Sequence, residues 1–359
     1  MQQKTAFHSL KLLAVVALVA ALSACGGGDR SVAQPAPTNL VIETFVGNLN
    51  TPVTMAFAPD GRLFFNELKN GRVRIIQNGA LVAQPFVTLP VETSGERGLL
   101  GLALDPQFAA NHFVYVLQSD PAGKHRVLRF TDAAGVGTGQ TVIVDNLPST
   151  SNHNGGNIGF GPDGKLYVTV GDHQDPANSQ SQTALAGKLL RYNPNGTVPS
   201  DNPFGAGNPA FNLGLRNSFD FTFHPQSGAI YASENGPDCD DEINRVVPGG
   251  NYGWRPNYPC GDSDPAFLAP LRRFNPVIAP TGITFYTGSV LPGFTNNLFM
   301  VDFNNGRIQR FVVDDAAHAI TSSETIFNGG SGPLFDIVTG PDGFLYFSTA
   351  DSIMRIAAR

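Results

Sequence analysis

A hairpin pattern that occurs six times after residue 40 restricts the fold of this chain more than any other feature. Each copy contains a short apolar strand, a turn built on Pro with Asp, Gln or Gly, and a second strand of alternating character. The six copies lie at residues 55–65, 102–116, 158–168, 221–231, 283–301 and 337–347. A repeat of roughly 45–65 residues is typical of propeller blades, each of which covers the faces of its neighbours. The pattern predicts an all-β fold, a six-bladed β-propeller with four-stranded antiparallel blades.

A β-sandwich is the alternative, but its turn signals recur every 8–12 residues or so without a longer period. Composition agrees with a folded domain, because 42% of the residues are hydrophobic and can bury a large core. The formal net charge is −6 and no basic run occurs. These features argue against a nucleic acid partner and against direct binding to anionic lipid.

The hairpins also predict where function resides. Each turn lies at one end of the disc, so residues just before the first strand and just after the second strand meet at the other end. The polar residues at these positions are Glu67, Glu96, Arg97, His153, Asp172, Arg216, Asn217, 235–237, 302–305 and Asp336. A channel mouth with a few converging polar groups is the expected ligand site of such a fold.

The first residues read as an export signal. Lys4 and Lys11 precede an apolar run over 12–22, which is too short for a spanning helix. The run ends in Leu22-Ser-Ala-Cys25, which resembles the bacterial lipobox, whose cysteine is lipidated after cleavage. An ordinary signal cut near Ala24 is the alternative. We expect a signal peptide at 1–24, a lipidated Cys25 with a flexible tether at 25–38, and the propeller at 39–359.

This signal predicts a periplasmic protein that touches a membrane only through its N-terminal lipid. An oxidising compartment favours pairing of the remaining two cysteines, Cys239 and Cys260. A disulfide between them would close a Gly- and Pro-rich loop and add roughly 3 kcal/mol of stability. Two inert buried thiols are the alternative.

His153 and Asp172 are candidates for acid–base chemistry. His153 precedes the first strand of the third hairpin and Asp172 follows its second strand, so both reach the same rim. An imidazole accepts a proton near neutral pH, and a carboxylate on its other nitrogen selects the tautomer. The alternative is a structural hydrogen bond. No second His or Cys stands at zinc-ligand spacing, and no Gly-x-Ser-x-Gly elbow is present.

A series of motifs in chain order gives a specific resemblance over roughly residues 45–350. They are Gly95-Glu-Arg-Gly-Leu-Leu-Gly101, His153-Asn-Gly-Gly156, Gly187-Lys-Leu-Leu-Arg191, Gly214-Leu-Arg-Asn217, Glu234-Asn-Gly-Pro-Asp-Cys-Asp-Asp-Glu-Ile-Asn244 and Gly249-Gly-Asn-Tyr-Gly-Trp254. Together they resemble the glucose/sorbosone dehydrogenase family. That family includes soluble quinoprotein aldose dehydrogenases built on six-bladed propellers. The resemblance implies an enzyme that oxidises an aldose sugar at its anomeric carbon to the lactone.

The resemblance also implies roles for individual residues. His153 falls on the general base, which takes the anomeric hydroxyl proton while a hydride passes to pyrroloquinoline quinone (PQQ). Asp172 falls on the acid that orients this base. Arg216 and Asn217 fall on PQQ contacts, and an arginine beside the quinone oxygen would stabilise developing negative charge. A sugar substrate and a periplasmic electron acceptor are the implied partners.

Calcium is the second cofactor that the resemblance implies. Gly236 and Pro237 would offer backbone carbonyls to the ion that holds the quinone, since oxygen ligands suit this hard cation. Glu242 and Tyr252 match a second, structural calcium site. Taken alone, the acidic run at 240–242 would read as a solvated loop.

Three departures from quinone-binding relatives leave other functions open. Glu96 stands at a cofactor-binding position where those relatives carry Gln. The segment 332–335 lacks their arginine, and Asn304 or Asn305 replaces an expected lysine. A non-catalytic propeller that binds a glycan or a protein is therefore the alternative, because Phe335 could stack on a sugar. Metal-assisted lactone hydrolysis is a third hypothesis.

Overall fold

A computed structural model describes residues 40–330 and 332–358, which form six small antiparallel sheets. The first strand is β1 (Leu40–Val46). The first blade contains β2 (Pro52–Phe57), β3 (Leu63–Glu67), β4 (Arg72–Gln77), β5 (Ala80–Leu81) and β6 (Val87–Thr88). The second contains β7 (Leu99–Leu104), the short helix α1 (Phe108–Asn111), β8 (Phe113–Ser119), β9 (His125–Ala133) and β10 (Val136–Leu147). The predicted signal peptide, Cys25 and tether lie outside the described residues.

The remaining blades follow in the same order. The third contains β11 (Ile158–Phe160), β12 (Leu166–Val170), the short helix α2 (Pro176–Gln180) and β13 (Lys188–Tyr192). The fourth contains β14 (Ser218–Phe223), β15 (Ile230–Glu234), β16 (Asp241–Val246) and β17 (Arg272–Phe274). The fifth contains β18 (Pro280–Phe285), β19 (Leu298–Asp302), β20 (Arg307–Asp314) and β21 (Ala319–Asn328). The sixth contains β22 (Ile337–Thr339), β23 (Leu345–Ser348) and β24 (Ile353–Ala358).

The first and last of these strands close the ring. β1 pairs antiparallel with β24, so the sixth blade takes its fourth strand from the N-terminal side of the propeller. Ile42 lies opposite Ile356 in this register. The predicted six-bladed propeller is confirmed, and no local pattern in the sequence had indicated how it closes.

Two blades differ from the expected four strands. The third has three, and its outer position is taken by the segment around Ala210, which makes a single bridge to Leu190. The neighbouring Pro209 has no N–H to donate to a ladder, although its carbonyl accepts from Arg191. In the first blade both β5 and β6 pair with β4, one along each half of that strand.

Apolar side chains fill the spaces between adjacent blades. Tyr115 and Leu117 of β8 share one buried cluster with Leu166 and Val168 of β12, and five further clusters occur in the described residues. Each sheet thus buries both faces only because the next blade covers it. No helix within 40–330 and 332–358 has the length and apolar character to cross a bilayer.

Polar bonds join the inner strands around the central channel. Asp220 accepts from the Ile283 amide at 2.8 Å, and Asp336 accepts from the Met55 amide at 2.6 Å. Burial raises the pKa of Asp220 to about 6 and raises the pKa of Asp336 as well. The carboxyl of Asp336, expected at the ligand-binding rim, is therefore a buried link between the sixth and first blades.

Candidate active site

His153 and Asp172 meet at the end of the third blade. His153 lies before β11 and Asp172 lies two residues after β12, so the antiparallel pairing of these strands brings the side chains together. The distance from His153 Nδ1 to Asp172 Oδ1 is 2.6 Å. The Asp172 side chain is fully buried, whereas 16% of the His153 side chain is exposed. A covered carboxylate and an accessible imidazole suit a positioned base.

Two further donors hold Asp172 in its ionised form. Trp254 Nε1 donates to Asp172 Oδ2 at 2.7 Å, and the Gln174 amide donates to Oδ1 at 2.8 Å. Burial opposes ionisation, but the bonds from His153, Trp254 and Gln174 outweigh it and keep the pKa of Asp172 below its usual range. An ionised Asp172 accepts the Nδ1 proton of His153. In neutral His153 the Nε2 lone pair is then free to accept a proton.

The backbone around this pair is tightly constrained. His153 has φ of 55°, a left-handed conformation that is uncommon outside glycine. A Cβ atom at Gly171 would lie 2.0 Å from the His153 carbonyl oxygen, so only glycine fits beside the base. The loop thereby places the imidazole directly against the end of β12.

Asn154 holds the loop in this conformation. The side chain of this fully buried residue accepts from the Thr150 amide at 3.1 Å and the Ser149 hydroxyl at 3.2 Å, and it donates to the Thr150 carbonyl at 2.8 Å. Its Oδ1 also lies 3.1 Å from Nε2 of His125. Because an amide oxygen only accepts, His125 carries its proton on Nε2. Burial lowers the pKa of His125 to about 3, which keeps this support neutral.

Arg216 and Asn217 come from the neighbouring fourth blade, directly before β14. Both of their amides donate to Glu234 Oε1, at 2.7 and 2.6 Å, and the Ser218 hydroxyl bonds Oε2. Burial raises the pKa of Glu234 to about 8. One buried glutamate at the end of β15 therefore fixes the turn that presents the arginine.

The structure places Arg216 close to the His153–Asp172 pair. The Asp172 amide donates to the Arg216 carbonyl at 2.6 Å, and the guanidinium carbon lies 5.4 Å from the centre of the Trp254 ring. Arg216 Nη1 donates to the Asn235 carbonyl at 2.8 Å. Its Nε–H is buried and finds no hydrogen-bond partner in the described part of the chain. A base and a guanidinium with a spare donor thus share one mouth.

Trp254 is the functional residue that sequence reasoning missed. It ends the Gly249–Trp254 run that carries part of the family resemblance, and it is the single tryptophan of the chain. That run gave no indication that the indole reaches Asp172 on another blade. Its contacts join the base, its partner acid and Arg216 in one assembly.

Glu96 and the 235–237 segment lie on the same rim. Exposed Glu96 accepts from the Asn154 amide through Oε2 at 3.2 Å, so it contacts the His153 loop. A Cβ atom at Gly236 would lie 2.1 Å from the Cys239 carbonyl, which requires glycine there. The disulfide between Cys239 and Cys260 is present and ties this segment to the following loop.

The Glu242 and Tyr252 side chains already have protein partners. Glu242 accepts from Arg273 Nε at 3.3 Å and from Asn244 at 3.0 Å, and burial raises its pKa to about 7. The Tyr252 hydroxyl donates to the Arg245 carbonyl at 2.7 Å. Both residues line a cavity of about 20 Å³, together with Glu234, Asp240 and Tyr258. That volume admits one water-sized occupant.

Two other expected rim residues are instead structural. Glu67 is 2% exposed, accepts from Asn70 and lies 3.5 Å from Arg74 Nη1. Asp302 is fully buried and accepts from the Asn305 amide within its own turn. Within 40–330 and 332–358, no cluster of three or more His, Cys, Asp or Glu side chains is arranged to hold a metal ion.

Comparisons with known proteins agree with this geometry. A family model described as glucose/sorbosone dehydrogenase matches residues 49–357. The aldose sugar dehydrogenase of Escherichia coli K12 is 29% identical over 353 residues, which cover 90% of this chain and 94% of the relative. An oxidoreductase of Thermus thermophilus described as a glucose dehydrogenase superposes with a TM-score of 0.80 at 33% identity, over 88% and 99% of the chains. The PQQ-bound aldose sugar dehydrogenase of Streptomyces coelicolor gives 0.80 at 26% identity, over 90% and 100%.

Proposed function

Because this chain belongs to the glucose/sorbosone dehydrogenase family, we propose that it oxidises an aldose sugar at the anomeric carbon to the lactone, with PQQ and calcium as cofactors. The observation that carries the proposal is the His153–Asp172 pair beside Arg216. The printed descriptions of the relatives, an aldose sugar dehydrogenase and a PQQ-bound form, support the same reaction. They do not favour the alternative of a non-catalytic binding propeller.

The residues of this chain would divide the reaction between them. His153 Nε2 takes the proton of the anomeric hydroxyl, and Asp172 stabilises the imidazolium that results. PQQ, when bound, would supply the hydride acceptor, so that the sugar gives up one hydride and one proton in all. Arg216 offers positive charge and a buried Nε–H at the mouth, where negative charge develops.

Arg216 and its turn fit an anionic group of a cofactor on one side of the mouth. The spare Nε–H of Arg216 is a donor that protein atoms leave unused within the described ranges. Asn217 stands next to it and accepts from the Gly155 amide at 2.9 Å, which links this turn to the His153 loop. On this basis we assign Arg216 and Asn217 to cofactor contact. Glu96 lies on the same rim, where its carboxylate would repel an anionic cofactor unless it is protonated or bound to a metal ion.

The carbonyl oxygens of Gly236 and Pro237 support the proposed calcium ion of the cofactor. Among the described residues neither oxygen accepts a hydrogen bond, so both remain available to a cation. For the second ion, we propose the cavity between Glu242 and Tyr252. The Tyr252 hydroxyl is occupied, so its backbone carbonyl would be the ligand, with the carboxylate of Glu242.

We also propose that the protein is exported and anchored through Cys25, and that it passes electrons to a periplasmic acceptor. The Cys239–Cys260 disulfide is consistent with an oxidising compartment. Metabolic labelling with a fatty-acid analogue tests the anchor. Incorporation that is lost in Cys25→Ser supports it, and equal incorporation in that variant contradicts it.

Reconstitution tests the catalytic proposal. The purified protein with calcium and PQQ should reduce an electron-accepting dye in the presence of aldoses. His153→Ala should abolish this activity while PQQ still binds in calorimetric titration, whereas Arg216→Ala should weaken binding itself. A calcium-loaded wild-type protein that binds no PQQ at micromolar concentrations would overturn the assignment.

A further inference from the structure

The channel mouth has two unlike halves. The second, third and fourth blades contribute the ionisable side chains, including Glu96, His153 and Arg216. Three segments at this end of the fifth and sixth blades, 277–279, 303–305 and 332–335, contain no ionisable residue, although exposed Asp351 follows β23. This part of the mouth therefore carries fewer ionisable side chains than the part around the base.

Phe303 stands out in this part of the mouth. It follows β19 as Asp172 follows β12, so the blade topology puts both at the same end of the propeller. It is 46% exposed and is the one aromatic residue among the exposed large hydrophobic residues of the described ranges. The ring of Phe335 packs against it at 5.8 Å between centroids and 81° between planes. This edge-to-face neighbour restrains the Phe303 ring while nearly half of the residue stays open to solvent.

A short series of hydrogen bonds connects Phe303 to the reaction site. Arg216 Nη1 donates to the Asn235 carbonyl at 2.8 Å, and Asn235 Nδ2 donates to the Pro280 carbonyl at 2.9 Å. The Phe303 amide donates at 2.9 Å to the carbonyl of Ala279, the residue directly before Pro280. The backbone of Phe303 thus belongs to the same rim as Arg216, one blade further round.

We propose that Phe303, braced by Phe335, stacks on the second sugar ring of a reducing oligosaccharide whose terminal aldose lies at His153. This proposal rests on the proposed function. Oxidation takes place only at the anomeric carbon of the reducing end, so the rest of a longer substrate must extend away from the base. The C–H face of a pyranose ring is apolar, and an exposed phenyl ring is a surface on which it can pack. Phe303 would therefore act on the part of a longer substrate that lies beyond the reacting sugar, and would favour disaccharides over monosaccharides.

Kinetics with maltose and glucose test the platform. In Phe303→Ala, the ratio of kcat/KM for maltose to kcat/KM for glucose should fall about three- to tenfold, the range expected for one aromatic contact. Phe303→Trp should keep the ratio. The matched control is Val290→Ala, which removes an equally exposed apolar side chain (43%) from the turn at the opposite end of the same blade and should not change the ratio.

Calorimetric binding of maltitol provides a readout that needs no turnover. This reduced disaccharide keeps the distal ring and cannot be oxidised at an anomeric carbon, and its affinity should fall by a similar factor in Phe303→Ala. If the wild type oxidises no aldose, the proposed function fails, while a loss of maltitol affinity in the variant still supports the platform. An unchanged ratio with unchanged maltitol affinity overturns it. An equal fall in kcat/KM for maltose and for glucose also overturns it, because Phe303 would then act on the cofactor or on the reacting ring.

Discussion

Trp254 donates its indole N–H to Asp172, 82 residues away in the sequence, at 2.7 Å. The centre of the same ring lies 5.4 Å from the guanidinium carbon of Arg216. One aromatic side chain from the loop after the fourth blade's third strand therefore contacts both the acid and the cation of the site. The arrangement makes the ionised state of Asp172 depend on a residue that forms no hydrogen bond with His153.

Removal of the indole donor should impair the His153–Asp172 pair. Trp254→Phe keeps an aromatic ring over Arg216 but leaves Asp172 Oδ2 without its strongest neutral donor, so the pKa of Asp172 should rise. We expect kcat/KM to fall about tenfold or more, the usual effect of losing a hydrogen bond to a charged group. The acid limb of the pH–rate profile should shift to higher pH. Trp254→Tyr, which retains a ring without the N–H at that point, should behave like the Phe variant, and wild-type kinetics in both would contradict this role.

Asp172→Asn should be far more damaging than its small change in shape suggests. An Asn amide donates to His153 Nδ1, which moves the imidazole proton to Nε2 and removes the lone pair that accepts the substrate proton. A fall in kcat of about 10³–10⁴-fold is expected, as for the equivalent change in serine protease triads. Circular dichroism and thermal melting should show a folded protein. Retention of more than about a tenth of the activity would show that His153 is not the base.

Asn154→Ala should loosen the loop that carries the base. The substitution leaves buried groups of Thr150 and His125 without partners, at a cost of about 2–3 kcal/mol in the free energy of unfolding. We expect kcat to fall with little change in KM, because the imidazole loses its position while the contacts of the sugar stay the same. Ser149→Ala removes only the 3.2 Å bond to Asn154 and is the matched control. Equal effects of both substitutions on kcat would contradict the positioning role.

His125 should make the protein sensitive to acid. Burial, together with the nearby His173 and Arg97, lowers the pKa of His125 from 6.5 to about 3, so the folded protein keeps this ring neutral when the unfolded chain already takes a proton. The stability it contributes is complete above about pH 6.5 and is lost as the pH falls toward 3.

His125→Gln keeps a donor toward Asn154 and does not titrate. The advantage of the wild type over this variant in denaturant-measured unfolding free energy should therefore shrink by about 3 kcal/mol between about pH 7 and pH 4. His112→Asn alters an exposed histidine whose left-handed backbone suits asparagine, and it is the matched control for replacing one histidine of the chain. A pH-independent difference for His125→Gln would refute the explanation.

Much of the fold was predictable because the repeat is local. Each hairpin can be recognised within about fifteen residues, and the number of copies gives the number of blades. Closure by β1 was not predictable, because the pairing of Ile42 with Ile356 leaves no short-range signal. The three strands of the third blade depend on Pro209 and its surroundings, where no strand pattern distinguishes an edge from a loop.

The candidate site was predictable to the extent that strand ends determine it. His153, Asp172 and Arg216 lie together because each stands next to a strand that ends at the same face. The contacts of Trp254, His125 and Glu67 depend on side-chain packing between distant segments. Sequence position alone therefore placed Glu67 at the ligand-binding rim, whereas its partners Asn70 and Arg74 hold it inside its own blade.

The closing strand also sets an order of events during synthesis. β1 is the first strand of the propeller to be made and its partner β24 is the last, so the ring stays open until every blade has been synthesised. Until then β1 lacks its partner. Once β24 has formed, the outer edge of β24 stays unpaired until β1 docks. A nascent chain, or one that stops before β24, therefore exposes an unpaired strand edge that can form hydrogen bonds with other chains.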